Sequence, residues 1–188
     1  MDFDQVMRSR HSVREYESRG IARDVLAKVL DAASYAPSSL NEQPWRFYVA
    51  EGQTRIEVGE IMAQSTVYLK DFLEVLGPER YEEASRWYTD LGGCPVVVGA
   101  TMPCAEDEFT RLNQMLAVGG AVEQMLLAAT NEGLGSCVVT FCFWLKDELA
   151  RALDVDEDRE LVALVTLGYP AEQPVAPPHS HDVAVYRD

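Results

Sequence analysis

The residues best suited to chemistry lie near the N-terminus, where residues 10–16 read RHSVREY. In an extended segment the side chains alternate between two sides, so Arg10, Ser12 and Arg14 would point the same way. The two guanidinium groups are planar donors that are always charged, and with the hydroxyl between them they suit a phosphate or another delocalised anion. This spacing therefore predicts an anion-binding segment.

A second polar segment follows at residues 36–45, which read APSSLNEQPW. Prolines bound this segment, and its short side chains can cap backbone groups and exchange hydrogen bonds. Either segment alone is compatible with surface charges and a helix-capping turn. Together, in this order and at this separation, they resemble the FMN-dependent nitroreductase family. In that family an Arg-x-Ser-x-Arg/Lys segment follows the first helix, and a Pro-Ser-Ser-x-Asn-x-Gln-Pro-Trp turn follows the second.

Three further stretches extend this resemblance over most of the chain. Residues 124–137 are similar to the family's long helix and the glycine turn that follows it. Residues 94–98, which read CPVVV, look like its buried middle strand, and residues 167–172, which read LGYPAE, look like its final strand and exit. The resemblance is weakest over residues 51–93.

The resemblance implies a binding site for FMN and names its residues. Arg10, His11 and Ser12 would hold the phosphate and the ribityl chain, and Arg14 would lie near the pyrimidine edge of the flavin. A cation at that edge would stabilise the negative charge that two-electron reduction places around N1 and O2. The other residues implied to contact the flavin are Pro37, Ser38, Ser39, Asn41 and Gln43 from the partner subunit, Val139 and Thr140 near N5, and His179 and His181 near the phosphate.

The sequence departs from the family's pattern at two of these positions. Relatives often have glycine where this chain has Thr140, so the backbone can still donate a hydrogen bond but its close approach to the ring is less assured. Relatives commonly place a Lys-x-Arg pair where this chain has His179 and His181. Because imidazole loses its charge near neutral pH, we expect the affinity for FMN to weaken as the pH rises.

The activity implied by the resemblance is that of a homodimeric oxidoreductase with FMN at the subunit interface. NAD(P)H would deliver a hydride to flavin N5 and leave, and a nitroaromatic, a quinone or a similar small acceptor would then take its place in a ping-pong reaction. Such chemistry needs no side-chain nucleophile. The alternatives are flavin fragmentation, dehalogenation or ring dehydrogenation on the same fold, or a flavin-binding protein without turnover.

Composition limits the other classes of function. The chain has 188 residues and 47% hydrophobic content, which predicts a single domain over residues 1–188. Its formal net charge of −15 argues against nucleic acid or an anionic membrane as a partner. The acidic N-terminus and the lack of a long apolar run predict a cytoplasmic protein. Four cysteines and three histidines show no spacing typical of a metal site, so none is expected.

Hydrophobic periodicity predicts an α+β fold with three layers, in which helices cover both faces of a small sheet. The resemblance implies a nitroreductase-like fold with a mixed sheet. Residues 51–93 should form a helical lid or pocket region rich in aromatic side chains, and residues 170–188 an extended arm. The pair Gly119 and Gly120 inside the longest helix predicts a close helix contact, within the core or across a dimer. The predicted helices cover residues 2–9, 21–35, 108–132 and 146–153, and the predicted strands cover 46–50, 95–101, 136–140 and 161–168.

Overall fold

The computed structural model describes residues 1–171 and 183–187, and every helix and strand predicted above is present within one to three residues of its expected bounds. The α-helices are Phe3–Ser9 (α1), Arg23–Ala33 (α2), Gly52–Gln64 (α3), Thr66–Leu69 (α4), Leu73–Leu76 (α5), Pro78–Trp87 (α6), Glu108–Asn131 (α7) and Lys146–Ala152 (α8). The strands are Arg46–Ala50 (β1), Val96–Pro103 (β2), Gly135–Val139 (β3) and Arg159–Gly168 (β4).

The four strands form one sheet in the order β1-β2-β4-β3, and all neighbouring strands are antiparallel. The prediction of a mixed sheet is corrected in this respect. The parallel pairing seen in the described residues is an isolated bridge between Ser12 and Ser136. Apolar patterning could not reveal the strand directions, because the long helical connections between these strands can return the chain in either sense.

Helices cover both faces of the sheet, which confirms the predicted three layers. Side chains of β2 alternate between two cores, because successive residues of a strand point to opposite faces. Val96 and Val98 pack with α2 and α7, whereas Val97 packs with α3 and α8. Strand β4 divides in the same way, with Val165 on the first face and Leu164 on the second.

The long helix α7 begins and ends as the sequence predicts. Asp107 caps it by accepting a hydrogen bond from the Thr110 backbone N–H at 2.9 Å, and Gly133 follows its end with a φ of +76°. The predicted close contact at its glycine pair is absent among the described residues. A Cβ added to Gly119 would meet no heavy atom within 4 Å, and one added to Gly120 would make an ordinary 3.8 Å contact with Ala36.

Residues 51–93 are mainly helical, as expected, and form α3 to α6 with a break at Gly77, whose φ is +75°. The aromatic side chains of this region pack against the segment after β3; Tyr68, for example, stacks on Trp144 with ring centroids 5.1 Å apart. Within the described residues no helix combines the length and apolar character that a membrane crossing requires. Most of the predicted C-terminal arm, including His179 and His181, lies outside the described residues.

Candidate functional site

The segment of residues 10–16 runs beside the outer strand β3, and exposure alternates over residues 12–14. The Val13 backbone N–H donates to the carbonyl of Ser136 at 2.9 Å, and the Val13 side chain is buried. A Cβ added to Gly135 of β3 would lie 2.7 Å from the Val13 side chain. The segment can therefore approach β3 this closely only because residue 135 is a glycine. Ser12 and Arg14 are exposed on the opposite side.

Arg14, Ser12 and Arg10 all act on the pKa of the buried thiol of Cys137. Burial raises the pKa of this thiol, while the positive charge of Arg14, a hydrogen bond from Ser12 and the charge of Arg10 oppose the shift. Arg10 also pairs with Glu123 of α7, with 3.2 Å between Nε and the carboxylate. The neighbouring His11 has a buried Nδ1 atom without a hydrogen-bond partner among the described residues.

A cleft of about 1140 Å³ opens next to this segment. One wall is the end of the segment itself, with Arg14, and a second wall is the end of the neighbouring strand β3, with Val139 and Thr140. The third wall belongs to α6 and the turn after it. The side chains and backbone that line this third wall are Arg80, Glu83, Ala84, Arg86, Trp87, Tyr88, Asp90, Gly92 and Gly93.

Two hydrogen bonds hold the third wall against the N-terminal segment. The indole Nε1–H of Trp87 donates to the carbonyl of Arg14 at 2.8 Å, and the Tyr16 backbone N–H donates to the carbonyl of Gly92 at 3.1 Å. Gly92 has a φ of +66°, and an added Cβ would lie 1.8 Å from the Arg14 carbonyl oxygen. The chain can pass this point only with glycine.

Aromatic side chains form a surface beside the cleft, in a row whose neighbouring rings are tilted or edge-on to one another. The rings of Trp87 and Tyr88 lie 5.1 Å apart between centroids, and Tyr88 lies 5.1 Å from Phe141 on its other side. Phe72 extends the row, with its centroid 5.8 Å from that of Phe141. Burial raises the pKa of Tyr88 to about 12, so its phenol is neutral at physiological pH. Such a surface suits a flat aromatic ligand.

The cysteines near the cleft are packed in the core. Cys137 and Cys142 are both buried and reduced. Burial raises the pKa of Cys142 to about 11, so this thiol is also neutral at physiological pH and is a poor nucleophile. This supports a packing role for both residues. The described residues contain no group of three His, Cys, Asp or Glu side chains that could hold a metal ion.

The predicted site residues fall into separate groups in the structure. Arg14, Val139 and Thr140 line the cleft. The turn after α2 does not line the cleft. Within this turn, the Gln43 backbone N–H donates a 3.0 Å hydrogen bond to the Ser38 hydroxyl. The members of this turn that were predicted to contact the flavin are Pro37, Ser38, Ser39, Asn41 and Gln43.

Sequence reasoning missed most of the charged residues on the α6 wall. The aromatic content of residues 51–93 predicted a lid or pocket region, and Trp87 and Tyr88 line the cleft, but Arg80, Glu83, Arg86 and Asp90 were not identified. A signal was available, because positions 80, 83, 84 and 87 follow the spacing of one helix face. That spacing could not say which other part of the chain the face meets.

Comparison with known proteins identifies the family to which the chain is similar. The model of the Nitroreductase family matches residues 7–169. A putative NADH dehydrogenase/NAD(P)H nitroreductase of Methanothermobacter thermautotrophicus is 25% identical over 179 residues, covering 93% of this chain and 80% of the relative. A 4-nitrobenzoate reductase of Nocardioides is 25% identical over 205 residues, covering 93% and 83%.

Solved structures share the fold over the whole chain. An FMN- and NADPH-dependent nitroreductase from sphigopyxis sp. strain HMH superposes with a TM-score of 0.79 at 19% identity, with 100% of both chains covered. At this identity the likeness establishes the fold and nothing more specific. The match of the family model over nearly all of the described chain is the stronger result. The chain belongs to the nitroreductase family.

Proposed function

We propose that this protein is an FMN-dependent oxidoreductase that takes hydride from NAD(P)H and passes it to a nitroaromatic, a quinone or a similar acceptor. The observation that carries the proposal is the cleft of about 1140 Å³, which is lined by Arg14, by the end of β3 and by the aromatic side chains of Trp87, Tyr88 and Phe141. Its volume exceeds the range of roughly 300–1,000 Å³ usual for small-ligand sites, which is enough for two flat molecules in contact.

The residues beside the cleft fit FMN. Arg10, Ser12 and Arg14 provide two guanidinium groups and a hydroxyl from one segment, and all three oppose the rise that burial causes in the pKa of the Cys137 thiol. The Nδ1 atom of His11 is buried without a hydrogen-bond partner among the described residues, and a buried polar atom of this kind favours a ligand that supplies one. In our proposal Arg10, His11 and Ser12 bind the phosphate and ribityl groups, and Arg14 faces the electron-accepting end of the ring system.

The bound flavin would supply the hydride chemistry, because it can accept and return two electrons. The chain's own residues would then bind and orient the reactants. The guanidinium of Arg14 would favour the negatively charged form of a ligand in the cleft, and the Thr140 backbone would complete the wall at the end of β3. The aromatic surface of Trp87 and Tyr88 would hold each flat reactant in turn and exclude water from one side of it.

The names of the relatives support the choice of co-substrate and acceptor. The Methanothermobacter relative is described as a putative NAD(P)H nitroreductase, and the Nocardioides relative as a 4-nitrobenzoate reductase. These names motivate NAD(P)H as the reductant and a nitroaromatic as the acceptor of the present protein. A quinone remains in the proposed class because it is equally flat and is reduced by the same transfer of two electrons.

A homodimer with FMN at the interface is also part of the proposal. Phe109, Leu112 and Leu116 of α7 have exposed fractions of 76%, 67% and 77%, and they follow one helix face toward the unobstructed Gly119. A second copy covering this stripe would account for both features. Leu40 is 92% exposed. It lies in the turn whose residues, according to the resemblance, contact the flavin held by the partner subunit.

The test of the catalytic proposal is anaerobic mixing of the purified, FMN-loaded protein with NADH and, separately, with NADPH. We expect rapid loss of the flavin absorbance band with at least one of them, followed by its return when a nitroaromatic or quinone is added. A flavin that neither nucleotide reduces would contradict the proposal. That result would favour a flavin carrier or one of the specialised flavin reactions that share the fold.

The roles of the two arginines can be separated with Arg10→Ala and Arg14→Ala. Arg10→Ala should mainly weaken FMN binding, because it removes a charge-assisted hydrogen bond worth about 1.5–3 kcal/mol. Arg14→Ala should retain more FMN but lower the flavin's reduction potential, because the lost attraction is strongest for the charged, reduced form. Equal losses of affinity with unchanged potentials would show that Arg14 does not face the flavin ring.

The dimer can be tested by sedimentation of Leu116→Glu, which places a charge in the exposed stripe of α7. We expect this variant to sediment as a monomer and to bind FMN more weakly than the wild type. Val75→Glu is the matched control, because Val75 is also exposed but lies on α5. A wild-type monomer that holds FMN tightly would contradict this part of the proposal.

A further inference from the structure

We propose that Arg80 and Arg86 of α6 make the cleft selective for flat aromatic acceptors that carry an anionic group, such as an aromatic carboxylate. This inference rests on the proposed function and names its substrate class. Both arginines line the α6 wall of the cleft, on the same helix as Trp87, whose ring begins the aromatic surface. A ring lying on that surface could therefore direct a substituent toward the guanidinium groups.

The charge of the cleft contrasts with that of the whole chain. The protein has 31 acidic and 16 basic residues and a net charge of −15, so anions are repelled from it at long range. The residues that line the cleft include three arginines, Arg14, Arg80 and Arg86, against three acidic residues. The lining therefore carries no formal net charge, so the repulsion of anions by the chain as a whole is offset at the cleft.

The guanidinium groups are available for a ligand. None of the three arginines forms an ion pair within 4.0 Å among residues 1–171 and 183–187. The acidic residues of the cleft are Glu15, Glu83 and Asp90. The carboxylate of Asp90 is already engaged, because it accepts a hydrogen bond from the Gly92 backbone N–H at 3.0 Å.

Arg80 and Arg86 also fit this role chemically. Guanidinium binds a carboxylate through two parallel hydrogen bonds, and it keeps its charge at every physiological pH. Arg14 is assigned to the flavin in the proposed function, so the two arginines of α6 remain for the acceptor. A phosphate of the nicotinamide nucleotide presents similar anionic oxygens, and the experiment must distinguish this source from an acceptor carboxylate.

The test is calorimetric titration of the oxidised, FMN-loaded protein with 4-aminobenzoate and with its uncharged analogue 4-aminobenzamide, neither of which is a nitro compound. We expect the wild type to prefer the carboxylate by about tenfold, which corresponds to about 1.4 kcal/mol. The double variant Arg80→Ala/Arg86→Ala should bind the two compounds equally. Glu83→Gln, on the same wall, should bind the carboxylate at least as tightly as the wild type does.

Two controls define the outcomes. Arg151→Ala removes an exposed arginine of α8 outside the cleft and should leave the preference unchanged. The same variants are titrated with NADPH and NADH to test whether the arginines bind a nucleotide phosphate. If the double variant loses affinity for NADPH but still prefers 4-aminobenzoate to 4-aminobenzamide, the inference is overturned. Equal binding of the two benzoic acid derivatives by the wild type would also overturn it, with or without FMN bound. Only failure of the flavin to react with NAD(P)H would contradict the proposed function itself.

Discussion

Replacing Gly92 with alanine tests how the cleft is assembled. Gly92 lies where the turn after α6 meets the N-terminal segment, with a φ of +66°. A new Cβ would lie 1.8 Å from the carbonyl oxygen of Arg14 and 2.9 Å from the Nε1 atom of Trp87. Both distances are far below van der Waals contact, so the two segments must separate.

The expected cost has two parts. The left-handed backbone conformation costs about 1–2 kcal/mol for a residue with a Cβ. Separation also disturbs the hydrogen bond from Trp87 to Arg14 and that from Tyr16 to Gly92, each with a net contribution of about 0.5–1.5 kcal/mol. We therefore expect Gly92→Ala to lower the free energy of unfolding by about 2–5 kcal/mol.

Gly93→Ala is a matched control for this substitution. Gly93 has a similar φ of +70°, but the nearest atom to an added Cβ is the Tyr16 carbonyl oxygen at 4.0 Å. Only the conformational cost of about 1–2 kcal/mol should therefore appear. Urea unfolding of both variants measures the difference, and titration with FMN measures its effect on the site. We expect Gly92→Ala to bind FMN more weakly, because Arg14 must move.

The opposite result would be that both variants lower the free energy of unfolding by the same amount and keep the same affinity for FMN. That result would mean that the turn after α6 and the Arg14 segment do not approach each other as described. The α6 wall would then lose its place in the cleft, together with the role given to Trp87.

Two further outcomes follow from charges and thiols near the site. Glu123→Gln should tighten FMN binding about 1.4- to fivefold by fluorescence titration, since it frees Arg10 from a partly exposed ion pair of the kind worth about 0.2–1 kcal/mol. Burial raises the pKa of Cys94 and of Cys142 from 9.0 to about 11. As the pH rises, each thiol loses its proton in the unfolded chain before it does so in the folded chain, so the unfolded state is favoured. Urea unfolding should therefore show the free energy of unfolding falling by about 2–3 kcal/mol per thiol between pH 9 and 11, and Cys142→Ala should reduce this fall.

Local patterns were sufficient to predict most of the secondary structure. The continuous apolar run at residues 96–98 indicated a strand buried on both faces, and β2 does divide its side chains between two cores. The end of α7 followed from Gly133, and the break before α6 from Gly77 and Pro78. In each case the decisive interaction lies within a few residues of the chain, so a single segment of sequence contains it.

The arrangement of the cleft depends on contacts between distant residues, which local patterns do not contain. Trp87 could be assigned to a pocket, but its hydrogen bond to the Arg14 carbonyl joins residues 73 positions apart. Gly92 gives no sign in the sequence that another backbone passes beside it. The pairing of Arg10 with Glu123 was equally hidden, because it joins the N-terminal segment to the middle of α7.

The central claim is that this chain binds FMN, and the flavin of the purified protein tests it most directly. The absorbance spectrum should show the bands of an oxidised flavin, and denaturation should release FMN, rather than FAD, at a ratio of one per chain. If the protein is purified without flavin, titration with FMN should restore the bands to the same ratio. A colourless protein that takes up no added FMN would contradict the account.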